Sequence, residues 1–281
     1  MGLRIATNIQ SLAAQRYLSK NTADQNRSFE RLSSGSRINR AGDDAAGMAI
    51  SERLRANLRS MQQAKRNAQD GVSMIQTTEG AMNEISSILI RLRELSIQTA
   101  SDTVSDVERG FVDKEVQQLK SEIQRIAKST KYNGLKILDG TANEDGEGML
   151  DFQVGINNDA FEDRISFDVK KQNMTLEALG LLEVNTGTKT NAQANLSMLD
   201  DAIVGVNSSR STLGALQNRM QSTINNLEVY YENLATANSR IRDTDVATET
   251  TELTKANILQ QSNISVLAQA NQAKAVALKL L

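Results

Sequence analysis

Any chemistry in this chain has to be done by carboxylates, lysines, serines and tyrosines, because its 281 residues include no histidine and no cysteine. Composition therefore excludes an imidazole base, a thiolate nucleophile, a His or Cys metal site and a disulfide. A carboxylate pair or a Ser-Lys arrangement remains, and no cluster along the chain points to either. The densest acids are Asp139, Glu144, Asp145 and Glu147, set among Gly140, Gly146 and Gly148. Such oxygen ligands suit calcium, but their spacing does not match an EF-hand loop, so the segment reads as a solvated turn. No metal and no cofactor is expected. The 32 basic and 34 acidic residues are interspersed and sum to −2, which leaves no nucleic-acid footprint. The chain reads as no enzyme, and attention passes to the elements themselves.

Hydrophobic residues make up 39% of the chain, enough for an ordered protein, yet aromatics are only 3% and tryptophan and proline are absent. Aromatics carry the largest burial per residue, so a thick core is not expected. Without proline to mark loops, long uninterrupted helices in a thin bundle are. The apolar runs are too short to span a bilayer, so no membrane insertion is expected. No apolar stretch follows the charge in Met1 to Thr7, as a cleavable signal requires, and Ala6 stands where myristoylation wants Ser or Thr. The lack of cysteine fits an exported chain as well as many cytosolic ones.

Two terminal stretches look dependent on partners. From Leu253 to Leu281, positions Ala256, Leu259, Asn263, Val266, Ala270, Ala273, Ala277 and Leu280 form a 3-4 seam, flanked by Ile264, Leu267, Leu278 and Leu281. This is the pattern of an amphipathic helix. At the other end Ile5, Ile9 and Leu12 repeat at 4 and 3, with Tyr17 and Leu18 following. An Ala-rich seam buries little area, so the two ends should pair with each other and also need further copies.

The middle of the chain supplies longer rods. A helix from near Asp44 to about Ala100 keeps Met61, Ala64, Ala68, Val72, Ile75, Met82, Ile85, Leu89 and Leu92 on one face. It would be roughly 85 Å long. Gly71 and Gly80 inside it read as close approaches of another helix. Ser101 to Ser105 is a turn; Ser105 and Glu108 make a capping box for a helix with Val112, Val116, Leu119, Ile123 and Ile126 on its face. Between Lys131 and Leu182 the period changes. Tyr132-Asn133-Gly134 is a turn, and Leu135 to Leu138, Leu150-Phe152-Val154-Ile156 and Ile165-Phe167-Val169 read as short strands. Val184 to Asn191 is a polar connector. From Leu196 to Ile241 a coiled-coil seam alternates steps of 3 and 4 through Leu199, Val206, Leu213, Met220 and Ile224, with polar Arg210, Gln217 and Asn238 fixing register or snorkelling. By itself this says only helical bundle or scaffold.

Local motifs narrow the choice. Glu30-Arg31-Leu32-Ser33-Ser34-Gly35, then Arg37-Ile38-Asn39 and Asp43-Asp44-Ala45-Ala46-Gly47, form a break between helices that Gly35 ends and Asp43 or Asp44 starts again. The same residues resemble the N-terminal signature of bacterial flagellins, as do Arg66 to Gly71, Gln76 to Ala81 and Asn83 to Ile85. Ser239-Arg240-Ile241-Arg242-Asp243, Ala247-Thr248-Glu249, Ile258-Leu259-Gln260-Gln261 and Ser265 to Gln272 resemble the flagellin C-terminus. The likeness covers residues 3 to 136 and 192 to 281. Where many flagellins carry Pro-Gln near the end, this chain has Ala273-Lys274-Ala275-Val276. Only some fifty residues stand where large variable outer domains are inserted in the family, so the likeness is to a short form.

That resemblance implies a mainly α fold: a long antiparallel helical bundle with a small β-hairpin region at about 132–182 and paired N- and C-terminal helices. Residues 1–42 and 245–281 would form the inner coiled-coil domain lining the filament core, and 43–244 the outer rod domain. It implies a secreted homopolymer that swims under a rotary motor. Implied partners are the flagellar export apparatus, a flagellin chaperone, the filament cap, hook-junction proteins and Toll-like receptor 5. Self-assembly falls to Ile5, Ile9, Leu12, Leu259, Val266, Leu267, Leu278 and Leu280, and the receptor contact to Arg91, Leu95 and Glu115. A hook-filament junction protein and a coiled-coil scaffold are the alternatives.

Overall fold

The computed structural model describes residues 7–141 and 148–279, with side chains as far as Gln272. Ile5, Glu144, Asp145, Glu147 and the side chains of Leu278 and Leu280 lie outside the described residues. Five helices dominate: α1 (Ile9–Ser34), α2 (Ala45–Thr99), α3 (Asp106–Ser129), α4 (Lys189–Arg242) and α5 (Val246–Lys279). Two antiparallel hairpins lie between α3 and α4: β1 (Lys131–Tyr132) with β2 (Leu135–Lys136), and β3 (Met149–Gln153) with β4 (Arg164–Asp168). The chain divides into two compact units. One runs up to Leu58 and resumes at Glu232; the other is Arg59–Tyr231, so the division falls inside α2 and α4.

Within Arg59–Tyr231 the core follows the expected faces. Ile75, Met82, Ile85, Leu89 and Leu92 of α2 are buried with Val116 and Ile123 of α3 and with Leu199, Val206, Leu213 and Met220 of α4. Each such side chain contributes about 1.5–3 kcal/mol by leaving water. Gly71 is a true close approach, because a Cβ there would stand 2.8 Å from the Met220 side chain. Gly80 is not: nothing lies within 4 Å of the Cβ it lacks.

The ends of the elements are set by local chemistry. Gly35 closes α1 with φ 68, a left-handed turn that a Cβ disfavours. Asp44 caps α2, accepting from the Gly47 N–H at 2.8 Å, while Asp43 accepts from the Asn39 and Arg40 amides in the preceding turn. The Ser105 and Glu108 capping box forms in full. Arg109, buried, then donates to the Thr99 and Ser101 carbonyls at 2.8 and 2.7 Å, holding the otherwise unpaired end of α2. Asn133 and Gly134 both take positive φ, 48 and 86, which gives β1–β2 its tight turn.

In β3–β4 the register sets Leu150 against Phe167 and Phe152 against Ile165, so the alternating set faces the core. The connector after it is less solvated than its polarity suggests. Val184 and Thr186 are buried, Lys120 donates to the Leu182 and Val184 carbonyls at 2.9 and 2.8 Å, and Asp113 accepts from the Thr186 N–H. Burial pushes the Lys120 ammonium below the ordinary lysine value. The helix begins at Lys189, inside the stretch read as connector.

Candidate assembly surfaces

In the unit that holds the chain ends, α1 and α5 pack antiparallel along a seam in which small and polar side chains alternate with four leucines. On α1 it runs Ser11, Ala14, Leu18, Asn21, Gln25, Ser28, Leu32; on α5 it runs Glu249, Leu253, Ala256, Gln260, Asn263, Leu267, Ala270. Both step by 3 and 4, the spacing of a coiled coil. Small residues admit a close approach, and hydrogen bonds fix the register: Asn8 Nδ2 donates to the Ala270 carbonyl at 3.0 Å and Gln25 to the Asn257 side chain. Arg31 reaches Glu249 at 3.5 Å. At the far end Ser36 and Asp243 form a β-bridge, with Arg37 N–H donating to the Arg242 carbonyl and Thr244 N–H to that of Gly35.

This seam corrects the sequence reading. Ala256, Asn263 and Ala270 belong to it as expected, but Gln260 and Leu267 stand where Leu259 and Val266 were expected. Leu259 and Val266 face outward instead, 43% and 50% exposed. On α1, Ile9 and Leu12 are 68% and 57% exposed and do not line the pair. The apolar stripe is wider than the seam, so it leaves an uncovered flank that also carries Tyr17, while Ile258 and Ile264 are exposed elsewhere on α5. A groove of about 530 Å³ opens on that flank, lined by Ala13, Tyr17, Asn263, Val266 and Gln269. Large exposed apolar surface of this kind marks a contact with another molecule.

The other expected contact lies on the α2–α3 face. The Arg91 guanidinium donates to Glu115 Oε1 through Nε and Nη2 at 3.1 and 3.0 Å, and also to Glu94 at 3.2 Å. These carboxylates hold its proton above the ordinary arginine value, Glu115 foremost. Leu95 is not available beside them. It is 2% exposed, because α2 is covered on two sides and buries Leu92, Leu95, Ser96 and Thr99 in succession.

Among the described residues no group of three or more acids could hold a metal ion, and no helix is long and apolar enough to cross a membrane. Residues 5–143 match the family model for the bacterial flagellin N-terminal helical region, and residues 196–281 match that for the C-terminal helical region. The chain belongs to the bacterial flagellin family. A flagellin of Halalkalibacterium halodurans is 43% identical over 98% of this chain and 98% of its own. A flagellin of Bacillus subtilis is 41% identical over 99% of this chain and 100% of its own. The crystal structure of Bacillus cereus flagellin, 33% identical, covers 58% of this chain and 88% of its own with a TM-score of 0.50. Near-complete coverage of relatives of similar length makes this a short-form flagellin.

The ion pairs set the acid response. Arg242 reaches Glu52 at 2.9 Å, and Asp245 caps α5 through Thr248 and Ala247. The Arg242 hydrogen bond lowers Glu52, the Thr248 hydroxyl lowers Asp245, the Arg40 amide lowers Asp43 and Arg93 lowers Asp200. A depressed carboxyl contributes stability that is present above its unfolded value of about 4 and lost as pH falls through the folded one. Melting temperature should therefore stay flat from about pH 8 to about pH 5, where no side chain with an ordinary pKa titrates. Below about pH 4 it should fall. A midpoint near neutral pH in a melting or light-scattering series would contradict this.

Proposed function

We propose that the chain is the structural subunit of a bacterial flagellar filament, exported from the cell and polymerised outside it for swimming. The observation that carries this reading is the pairing of α1 with α5 through a polar seam while Ile9, Leu12, Leu259 and Val266 are turned outward, in a chain whose two ends match the flagellin terminal regions. A heterologous contact that does not close gives an open helical polymer. Residues 1–42 and 245–281 form its inner coiled-coil domain and 43–244 its outer rod domain. Ile5, Leu278 and Leu280 join the outward residues in the assembly stripe, while Leu267 supports it from within the α1–α5 seam. Its role is structural rather than enzymatic, and the export apparatus, a chaperone, the cap and the hook-junction proteins handle it before and during growth. Dispersed subunits added to filament seeds should lengthen them under negative-stain microscopy; failure to add at any concentration, with the subunits folded, would refute the reading.

The dispersed subunit also engages Toll-like receptor 5 through Arg91 and Glu115, which are exposed and clamped to each other. Leu95 then acts from beneath, as the packing that fixes Arg91. In a receptor-reporter assay Arg91→Ala should weaken the response about tenfold, one charge-assisted contact being worth about 1.5 kcal/mol. An unchanged dose response would remove the contact.

A further inference from the structure

Beside α4, the β3–β4 hairpin and the turn Lys170–Gln172 leave two adjoining recesses of about 380 and 270 Å³ that share Ala215 and Arg219. The smaller has an apolar floor of Phe167, Leu213 and Leu216 and one buried polar group without a partner. Gln172 is 3% exposed, and its Oε1 accepts no hydrogen bond. A buried carbonyl left so is costly. The rim carries Arg164, Lys171 and Arg219 against Glu162 and Asp168, an excess of one cation. Among the described residues the Arg219 side chain enters no ion pair, Arg164 binds only the amide oxygens of Gln153 and Asn158, and Lys171 approaches Asp168 no closer than 3.6 Å. Phe161, on the rim of the larger recess, is 90% exposed.

One face of α2 has the complementary character. Asp70, Ser73, Thr77, Gly80, Glu84 and Ser87 follow one another at steps of 3 and 4, all exposed. The hydroxyls of Ser73, Thr77 and Ser87 turn back onto their own helix, donating to the Gln69, Ser73 and Asn83 carbonyls. The face is therefore flat, with unpaired Asp70 and Glu84 carboxylates at its ends. Gly80 weakens the helix that contains it, yet within the subunit nothing comes within 4 Å of its missing Cβ. The space beside it is open to a neighbour. Asp70 to Glu84 rises about 21 Å, and the recessed stretch of α4, Thr212 to Thr223, about 16 Å.

We propose that the recess beside α4 receives the Asp70–Glu84 face of α2 from a second copy of the chain. The two carboxylates meet Arg219 and its neighbouring cations at the mouth of the recess, and the flat Ser73–Thr77–Gly80 stretch between them lies over its apolar floor. The proposal rests on the filament reading and adds which faces meet; the contact joins unlike surfaces, so it repeats without closing.

Seeded growth of the full chain tests it, read as the critical concentration by sedimentation. Arg219→Glu and Glu84→Arg should each raise that concentration at least tenfold, and the double variant, in which this one pair exchanges its charges, should recover most of the loss. Gly80→Leu should raise it comparably while the subunit melts no lower than the parent, which separates loss of docking from loss of fold. If Arg219→Glu and Gly80→Leu both assemble as the parent does, or if the double variant is no better than the singles, the assignment of faces is wrong. If the parent itself does not add to seeds, the filament reading fails instead.

Discussion

Deleting residues 253–281 should abolish polymerisation even on seeds, while the Arg59–Tyr231 unit keeps its helical circular dichroism and a cooperative melt. The deleted stretch contributes to the α1–α5 seam Ala256, Gln260, Asn263 and Ala270 together with Leu253 and Leu267, the two leucines only partly buried, so it buries little apolar area. An isolated helix pair of this kind is marginal in water, so its loss removes little from the dispersed subunit. Single substitutions sharpen the test. Leu259→Asp and Val266→Asp each place a carboxylate on a flank that is exposed in the subunit and dry in a polymer, at a cost of about 3 kcal/mol or more per contact. That corresponds to a rise in critical concentration of about a hundredfold, with no change in melting of the dispersed chain. Gln261→Asp, also exposed but on the side of α5 away from that flank, should change it far less. Filaments from the truncated chain, or loss of its fold as a monomer, would make the terminal seam an ordinary intramolecular core.

The difference between that seam and its flank marks where sequence periodicity stopped being informative. Leu259 and Val266 differ by one position from an alternative 3-4 ladder through Gln260 and Leu267, and Ala256, Asn263 and Ala270 belong to both ladders. Composition favours the more apolar ladder. The fold uses the other because small and polar residues let α1 and α5 approach and hydrogen-bond, which frees the larger side chains for outside contacts. The ends of α2 and α3, by contrast, were legible to within about a residue: α2 ends at Thr99, the capping box starts α3, and Asn133-Gly134 turns the first hairpin, since each depends on neighbours in the chain, whereas α4 and α5 begin at Lys189 and Val246, ahead of the seams read from Leu196 and Leu253. Leu95 was misplaced because a single apolar face was assumed for α2, whereas two partners widen its buried arc. Non-local polar contacts left no trace in sequence. Arg242 finds Glu52 across 190 positions, and Lys120 finds two backbone carbonyls whose position no residue type announces.

Leu92→Ala should lower the stability of the Arg59–Tyr231 unit by about 3 kcal/mol, within the usual range of about 2–5 for a buried leucine. Leu92 has no solvent exposure and lies in one cluster with Leu89, Val116, Ile123 and Leu199. Truncation removes the transfer energy of the lost methyls and leaves a cavity that three long helices, tied by Arg93 to Asp200 and Arg91 to Glu115 at 2.6 and 3.0 Å, cannot easily close. For a unit of this size each kcal/mol shifts the melting temperature by about 2–4 °C, so a fall of roughly 10 °C is expected. Ile90 is the matched control. It lies two residues away on the same helix but is half exposed, and Ile90→Ala should move stability by no more than about 0.5 kcal/mol. The pair separates the two ways this chain uses apolar side chains. A Leu92→Ala subunit melts early, and once folded it should still add to seeds at low temperature, because none of its outward surface has changed. If Leu92→Ala melted like the parent, or Ile90→Ala fell as far, the buried faces assigned to α2 would be wrong, and with them the outward Asp70–Glu84 face that the same helical register defines.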